Sequence, residues 1–465
     1  MISNKKTRFY RFMRAVIYLT TRLFYKEVAV KYVEPLPLDK PIIFVGNHLS
    51  TFLDPILISV NTGLYPAFLT KADVFANPLV RRFLFSLRML PIYRQRDGAD
   101  FVQRNEAVFD TSIQQLEANL QFVIFGEGSH SSFRRLRDLK KGFARIGFAA
   151  LERHNGALDV QIVPVGVEYS DFTKMYQTVT QTYGRPIPLK KYLPDYRKDP
   201  RQTLITVKKD VSDALRQLLI HIPSREHYDA VESLRIIARP WLYERLGLSA
   251  QDAHDRLAAE QRLVAAQTRL EEAAPGQMQA FAGDIRRYCQ TLDALNFRHR
   301  LVPGPLPRRS GLLGRLLLLL PLLPFYLLGL TTAYVPYKLP VWFSKRTFKD
   351  HMYFPAVNMT GAMFLFPLFW LLETLLVQIL WNHEAITLAF ALLMPFSAWL
   401  AFRFWIQLKK IWHEWRFIRF AEKHPDQLAE LRRQLKRILR STEQMLARYG
   451  CEASNERLSR SETQL

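Results

Sequence analysis

Two side chains near the start of the sequence could move a proton. His48 follows the Gly46-Asn47 turn that closes the apolar run of residues 42–47, and Asp54 stands six positions further on, directly before Pro55. An imidazole has the intrinsic basicity for general-base work near neutral pH. A carboxylate beside it can hold one tautomer and stabilise the imidazolium. Acyl transfer from a thioester to an alcohol needs little more, because the acceptor's own hydroxyl replaces the serine of a hydrolase. Six residues do not place two side chains on one face of a regular helix, so the pair can meet only if His48 lies in the loop and the chain turns back. The same residues also read as ordinary structure: Asp54 as a helix N-cap with Pro55 in the first helical position, and His48 as a loop residue bonded to backbone. From this segment alone both readings stand.

A second segment, FVIFGEGSHSSFRRLRDLKKGFARIG at residues 122–147, runs from a strand-like stretch through a Gly-Glu-Gly turn to a loop with Arg134, Arg135, Arg137, Lys140 and Lys141, and then a helix. Glycines let backbone N–H groups approach an anion, and the cations can add charge-assisted bonds. That is a phosphate site or a solvated basic loop. Neither a Walker motif nor the third glycine of a dinucleotide fingerprint is present. His154 and Asp159 also form a spaced pair, but Asn155-Gly156 between them marks a plain surface turn and no basic loop follows.

Taken in order, these segments resemble the glycerol-phosphate acyltransferase superfamily, which includes lysophosphatidate acyltransferases. Asn47, His48 and Asp54 match the first block, in which the resemblance makes His48 the base and Asp54 its orienting partner. The gap between them is five residues where four is usual, which is similar to the branch containing fungal glycerol-3-phosphate and dihydroxyacetone-phosphate acyltransferases. In LRMLPIYRQRDG, Arg94 matches the phosphate-holding arginine of the second block, with Arg96 a near rival. Phe125-Gly126-Glu127-Gly128-Ser129 resembles the third block with its proline replaced by Gly126, which puts the local turn geometry in question. Lys140, Lys141 and Gly142 follow as in the family, and Pro164 matches the fourth block, which lines the acyl site. The resemblance spans roughly residues 40–190. It implies His48 and Asp54 as catalytic residues, Arg94, Glu127, Gly128, Ser129, Lys140 and Lys141 at the substrate phosphate, and Pro164 at the acyl chain. Acyl-CoA or acyl carrier protein would be the co-substrate, with no cofactor and no metal. Glycerol-3-phosphate is the favoured acceptor and lysophosphatidate the alternative; a non-catalytic protein bound to anionic membranes is the reading from another class.

The elements that must position these residues follow from pattern. Across residues 31–225, β-branched runs ending in Gly, Pro or Asn alternate with helix-like stretches, as expected for an α/β domain with a largely parallel central sheet flanked by helices, whose ligands bind beyond the carboxyl ends of the strands. Residues 1–30 carry Phe9, Phe12, Met13, Val16, Ile17, Leu23 and Phe24 at helical spacing, interleaved with Lys5, Lys6, Arg8, Arg11 and Arg14. That is the pattern of a helix in the membrane interface, the alternative being a helix packed on the protein's own core. Residues 226–307 lack strand signals and read as a helical insertion or spacer broken at Pro275-Gly276. Residues 308–410 contain three lipophilic stretches, 316–337, 360–381 and 385–402, long enough to cross a bilayer. The last two, joined by Asn382-His383-Glu384, suit a helical hairpin, and flanking cations place both ends of that hairpin on the cytoplasmic side. They do the same for the first, which a single crossing cannot satisfy; a Pro-rich re-entrant segment would resolve the conflict, as would a simple violation of the rule. Residues 411–465 read as a charged surface or self-association helix with a frayed tail.

Composition agrees. Of 465 residues, 65 are Lys or Arg and 42 Asp or Glu, a net charge of +23 that suits anionic membranes and phosphorylated ligands. Nucleic acid is not expected as a partner, since the basic residues are not interleaved with a stacking platform and the lipophilic region has no part in such binding. With only Cys289 and Cys451, neither a disulfide framework nor a thiolate zinc site is expected. The expected location is a membrane with the catalytic domain on its cytoplasmic face; oligomeric state is left open.

Overall fold

Strands buried on both faces read as continuous apolar runs rather than alternating ones, and the two central strands here, IIFVG and QIVPVGVEY, are buried at every position. A computed structural model describes residues 7–93 and 101–450. Chain order begins with α1 (Arg8–Phe24), β1 (Glu27–Tyr32), β2 (Ile42–Gly46), α2 (Leu53–Asn61), β3 (Ala67–Lys71), α3 (Pro78–Ser86) and β4 (Met89–Ile92). It continues with α4 (Phe101–Glu117), β5 (Phe122–Phe125), α5 (Gly142–Arg153), β6 (Gln161–Tyr169), β7 (Thr178–Tyr183), β8 (Ile187–Pro188), α6 (Leu193–Lys198) and α7 (Pro200–Leu218). The sheet order is β1-β7-β6-β2-β5-β3-β4, with β8 on β6. Among the described residues, five strand pairs are parallel, and β6 with β7 and with β8 is antiparallel. The largely parallel sheet expected from the sequence is the one found.

Each face of the sheet carries its own core. Phe143, Phe148 and Leu151 of α5 pack with Val207, Val211 and Leu215 of α7 on one side. Leu53, Leu57 and Ile58 of α2 pack with Phe44, Val165, Tyr169 and Tyr183 on the other. Pro164 occurs in a central strand without breaking it because it sits where β6 changes neighbours. Gln161 and Ile162 face β8, β7 takes over at Val165, and the Pro164 carbonyl accepts the Gly184 N–H at 2.8 Å. A missing donor is tolerated at such a handover.

The chain divides into two compact units. The first comprises residues 1–221 together with Ser344–Met359, and the second Ile222–Phe343 together with the rest from Thr360. In the first, α1 packs one part of its apolar face on the core and leaves another part exposed. Tyr10, Met13, Thr21 and Phe24 are buried, with the Tyr10 hydroxyl on Ser59 at 3.1 Å, while Phe12 and Leu23 are each 64% exposed. Lys5 and Lys6 lie outside the described residues.

Within the second unit, α8 (Tyr228–Arg245), α9 (Ala253–Ala273) and α10 (Pro275–Leu295) precede α11 (Arg309–Leu319), α12 (Leu323–Thr347), α13 (Phe354–Trp381), α14 (Glu384–Lys423) and α15 (Pro425–Tyr449). The expected break falls at Pro275, which occupies the first turn of α10. The apolar stripe of α15, with Leu428, Leu431, Leu435, Ile438 and Met445, is buried, and this helix packs on α9 and α10. So the spacer and the charged C-terminal helix form one bundle. Three helical stretches, Arg309–Thr347, His351–Trp381 and Glu384–Lys423, are long and apolar enough to cross a membrane, and they contain the three lipophilic segments.

Candidate active site

The strand β2 delivers His48 beyond the carboxyl edge of the sheet, and a two-way amide clamp fixes the exit. Asn47 Nδ2 donates to the Val167 carbonyl at 3.0 Å while its Oδ1 accepts the Val167 N–H at 2.8 Å, so the side chain extends the ladder to β6 past the end of β2. The chain then turns back before α2, which brings Asp54 to the ring it follows. His48 Nδ1 lies 2.9 Å from Asp54 Oδ2. The same oxygen accepts the Ser50 N–H at 2.8 Å, and Oδ1 accepts the Tyr169 hydroxyl at 2.5 Å.

A carboxylate with no exposed surface is costly unless its lone pairs are filled; three donors fill them here. Burial, together with the Asp54 charge beside it, pushes the Tyr169 phenol well above its usual range, so it stays protonated and donates. Asp54 is therefore in the first turn of α2 but is not a side-chain cap for it. Asp54 bonds the imidazole and not the helix end. With Nδ1 turned to Asp54, Nε2 is the nitrogen left for a substrate. The His48 ring stacks on Phe125, centroids 4.4 Å apart, and its side chain is 15% exposed.

The third block closes over this loop. Phe125–Gly128 form a turn sealed by the Gly128 N–H on the Phe125 carbonyl at 3.1 Å. Gly128 has φ +74°, a region in which glycine carries no side-chain penalty. The substitution of Gly126 for proline leaves the turn intact: Leu139 packs against Gly126 so closely that even a Cβ there would lie 3.0 Å from its side chain.

Glu127 is a brace between loops. Its Oε1 accepts the His48 N–H at 3.0 Å and its Oε2 accepts the Arg137 Nε at 3.0 Å. Ser129 Oγ accepts from Arg137 at 2.9 Å, and the Ser131 N–H donates to the His48 carbonyl at 3.0 Å. A cleft lined by Asn47, His48, Glu127, Ser131, Phe133 and Arg135 opens here.

The five cations of the loop do not act alike. Arg134 is buried against Glu168 and donates to the Tyr169 carbonyl at 2.6 Å, so it belongs to the framework. Charge in a sequence does not disclose such a buried partner. Arg137 is likewise taken by Glu127 and Ser129. Lys140 is exposed, with its stem beside Gly128, and Lys141 immediately precedes α5. Pro164 is buried within the sheet. Arg94 and Arg96 lie outside the described residues. His154 and Asp159 stay apart, His154 on Glu117 at 3.2 Å and Asp159 on Lys40 at 2.8 Å, with Asn155 and Gly156 in left-handed conformations between them: a surface turn, as read. Sequence reasoning missed Tyr169 and Glu168. The only signal was a pair of polar residues ending an otherwise apolar strand.

Residues 27–168, from β1 almost to the end of β6, match the acyltransferase family model. This part of the chain is an acyltransferase domain. Among solved structures, the 1-acyl-sn-glycerophosphate acyltransferase of Thermotoga maritima aligns with 46% of this chain and 83% of its own at 18% identity, with a TM-score of 0.34. No curated protein matches the chain.

Proposed function

We propose that the protein transfers a fatty acyl group from acyl-CoA or acyl carrier protein to a hydroxyl of glycerol-3-phosphate at the cytoplasmic face of a membrane. The observation that carries this is the 2.9 Å contact between His48 Nδ1 and the fully buried Asp54. Nε2 of His48 takes the acceptor's hydroxyl proton as its oxygen attacks the thioester carbonyl carbon. The carbon–sulfur bond breaks, and the imidazolium returns its proton to the departing thiolate. Asp54 holds the tautomer and balances the transient positive charge, and Tyr169 and the Ser50 N–H hold Asp54. The reaction requires neither metal nor redox cofactor. Lys140, Lys141, Arg94 and the Gly128-Ser129 turn are the proposed phosphate grip, Glu127 acts through the loops it braces, and Pro164 shapes the wall beneath the acyl chain.

The test is labelled acyl-CoA offered with glycerol-3-phosphate and with lysophosphatidate in turn. The first is expected to be the better acceptor, and His48→Ala to lose about 10²- to 10⁴-fold, the range of general-base catalysis. Undiminished turnover in that variant, with either acceptor, refutes the assignment.

A further inference from the structure

Outside the motif blocks, a second imidazole stands at the same site. His130 follows the Gly128-Ser129 turn, and its ring centroid is 6.1 Å from that of His48, nearly perpendicular to it. What holds His130 comes from far along the chain: its Nε2 lies 2.9 Å from Asp350 Oδ2, 220 residues away. Asp350 belongs to the short segment between the stretches Arg309–Thr347 and His351–Trp381, and this segment folds as part of the catalytic unit.

The segment is well anchored. Met352, Ala356 and Met359 are buried, the last two in the core cluster that includes Leu53 and Tyr169. Tyr353 stacks on Phe348 with centroids 5.0 Å apart, lies edge-on to His130 at 5.2 Å, and its hydroxyl takes a bond from Lys71 Nζ at 3.3 Å at the carboxyl end of β3. Asp350 has two tasks, divided between its oxygens: Oδ1 accepts the Met352 N–H at 2.9 Å and so caps the turn that follows, and Oδ2 holds His130.

We propose that Asp350 and His130 form a positioning pair for the acyl acceptor, contributed to the active site by the linker between two lipophilic stretches. The inference rests on the reading of the His48 cleft as the acyl-transfer site. Asp350 fixes the plane and tautomer of His130, leaving Nδ1 for a polar group of the acceptor, while His48 Nε2 takes the proton from the hydroxyl. Substrate that reaches His48 is thereby oriented by a ring whose position depends on the membrane-flanking segment.

The two tasks of Asp350 can be separated. In Asp350→Asn the side-chain oxygen still caps Met352, since Asn is as good an N-cap as Asp, but its amide opposes the N–H of His130. Purified full-length wild type, Asp350→Asn, His130→Ala and the double variant are compared with acyl-CoA, glycerol-3-phosphate and lysophosphatidate. Each single variant is expected to raise the acceptor KM about tenfold and leave the donor KM unchanged. That is the lower part of the range for a hydrogen bond to a charged group, as befits a half-exposed carboxylate. The double variant is expected to be no worse than either single one, the mark of two residues acting as a unit. Unchanged acceptor KM in both single variants, equal loss for donor and acceptor, or additive losses each overturn the pair. An inactive wild type would instead overturn the acyl-transfer reading itself, so the two failures are distinguishable.

Discussion

Replacing Asp54 by Asn tests the arrangement around His48 more sharply than deleting it. The two carboxylate oxygens are not equivalent: Oδ2 receives the Ser50 N–H and His48 Nδ1, and Oδ1 receives the Tyr169 hydroxyl. An asparagine can be accommodated in two ways. A backbone N–H cannot turn away from an opposing amide, whereas a phenol rotates and accepts as readily as it donates. The asparagine oxygen is therefore expected to stay at the Oδ2 position and its amide to point at Tyr169. His48 then keeps the tautomer with Nε2 free, and only the charge opposite the imidazolium is lost. A hydrogen bond to a charged partner is worth about 1.5–3 kcal/mol and a neutral one about 0.5–1.5, so the difference is about 1–2 kcal/mol. Because Asp54 has no exposed surface, solvent does not discount it. At about 1.4 kcal/mol per decade, kcat should fall about five- to thirtyfold, with the acceptor KM little changed. Steady-state kinetics of Asp54→Asn beside His48→Ala decide the matter. A loss as deep as that of His48→Ala would mean that the tautomer has flipped and that the Ser50 argument is wrong. No loss at all would remove Asp54 from the mechanism.

The basic loop should divide in the same way under mutation. Arg134→Met leaves Glu168 buried without its guanidinium and is expected to cost about 3–5 kcal/mol of stability in denaturant unfolding, whereas Lys140→Ala should leave the midpoint in place and lower kcat/KM for the phosphorylated acceptor. The opposite assignment of effects would overturn the division. His221 supplies a pH signature: its Nδ1 accepts the Leu136 N–H at 3.1 Å, and burial, with Arg216 and Arg135 nearby, lowers it to about 4 from an ordinary value near 6.5. The unfolded chain thus binds a proton that the folded one refuses, so stability is full above pH ~6.5 and declines as pH falls from there towards ~4. Thermal unfolding midpoints should show this decline, and His221→Gln, which can still accept the Leu136 N–H but does not titrate, should lack it. Parallel declines in the two proteins would remove His221 as the cause.

How much of this was legible depends on where each partner lies in the chain. The strand carrying His48 and the turn carrying Glu127 announce themselves through local composition, and motif order ties them together. The buried core strands read directly as apolar runs because a parallel sheet covers both their faces. Tyr169 is 115 residues from Asp54, and Asp350 is 220 from His130, with no periodicity to connect them. Arg134 and Lys140 look alike in the sequence because a charge next to a glycine-rich turn carries no mark of the glutamate that neutralises it. The stripe on α15 was visible as a stripe, but amphipathicity names a face without naming what covers it.

The charge pattern left one conflict, and the packing of Ser344–Met359 with the first unit leads to a testable expectation. This segment folds with the catalytic unit, so the chain leaving α12 is expected on the side of the bilayer that carries that unit. Its other end, Arg309, is reached from the catalytic unit through α8, α9 and α10, and among the described residues the helices apolar enough to cross begin only at Arg309. Both ends of the first stretch are then expected on one side, which requires an even number of crossings. Its contacts agree with a segment that enters and returns. Arg309 pairs with Glu422, Arg315 with Glu414, Tyr326 stacks on Phe404, and Gly329 lies against the Ser397 backbone. Then Pro340 is already beside Gly361, near the start of the hairpin. From Ser397 to the beginning of α14 at Glu384 is about 20 Å at 1.5 Å per residue, a depth these contacts do not reach. The break at Leu320–Leu322 and the prolines at 336 and 340 supply the bends. The hairpin of α13 and α14 is expected to cross and return. Single cysteines placed at Arg309 and Lys349 should be labelled by an impermeant reagent from the same face, and one at Asn382 from the other. Labelling of Arg309 and Lys349 from opposite faces would make the first stretch a true crossing and would separate the linker carrying Asp350 from the unit that holds His48.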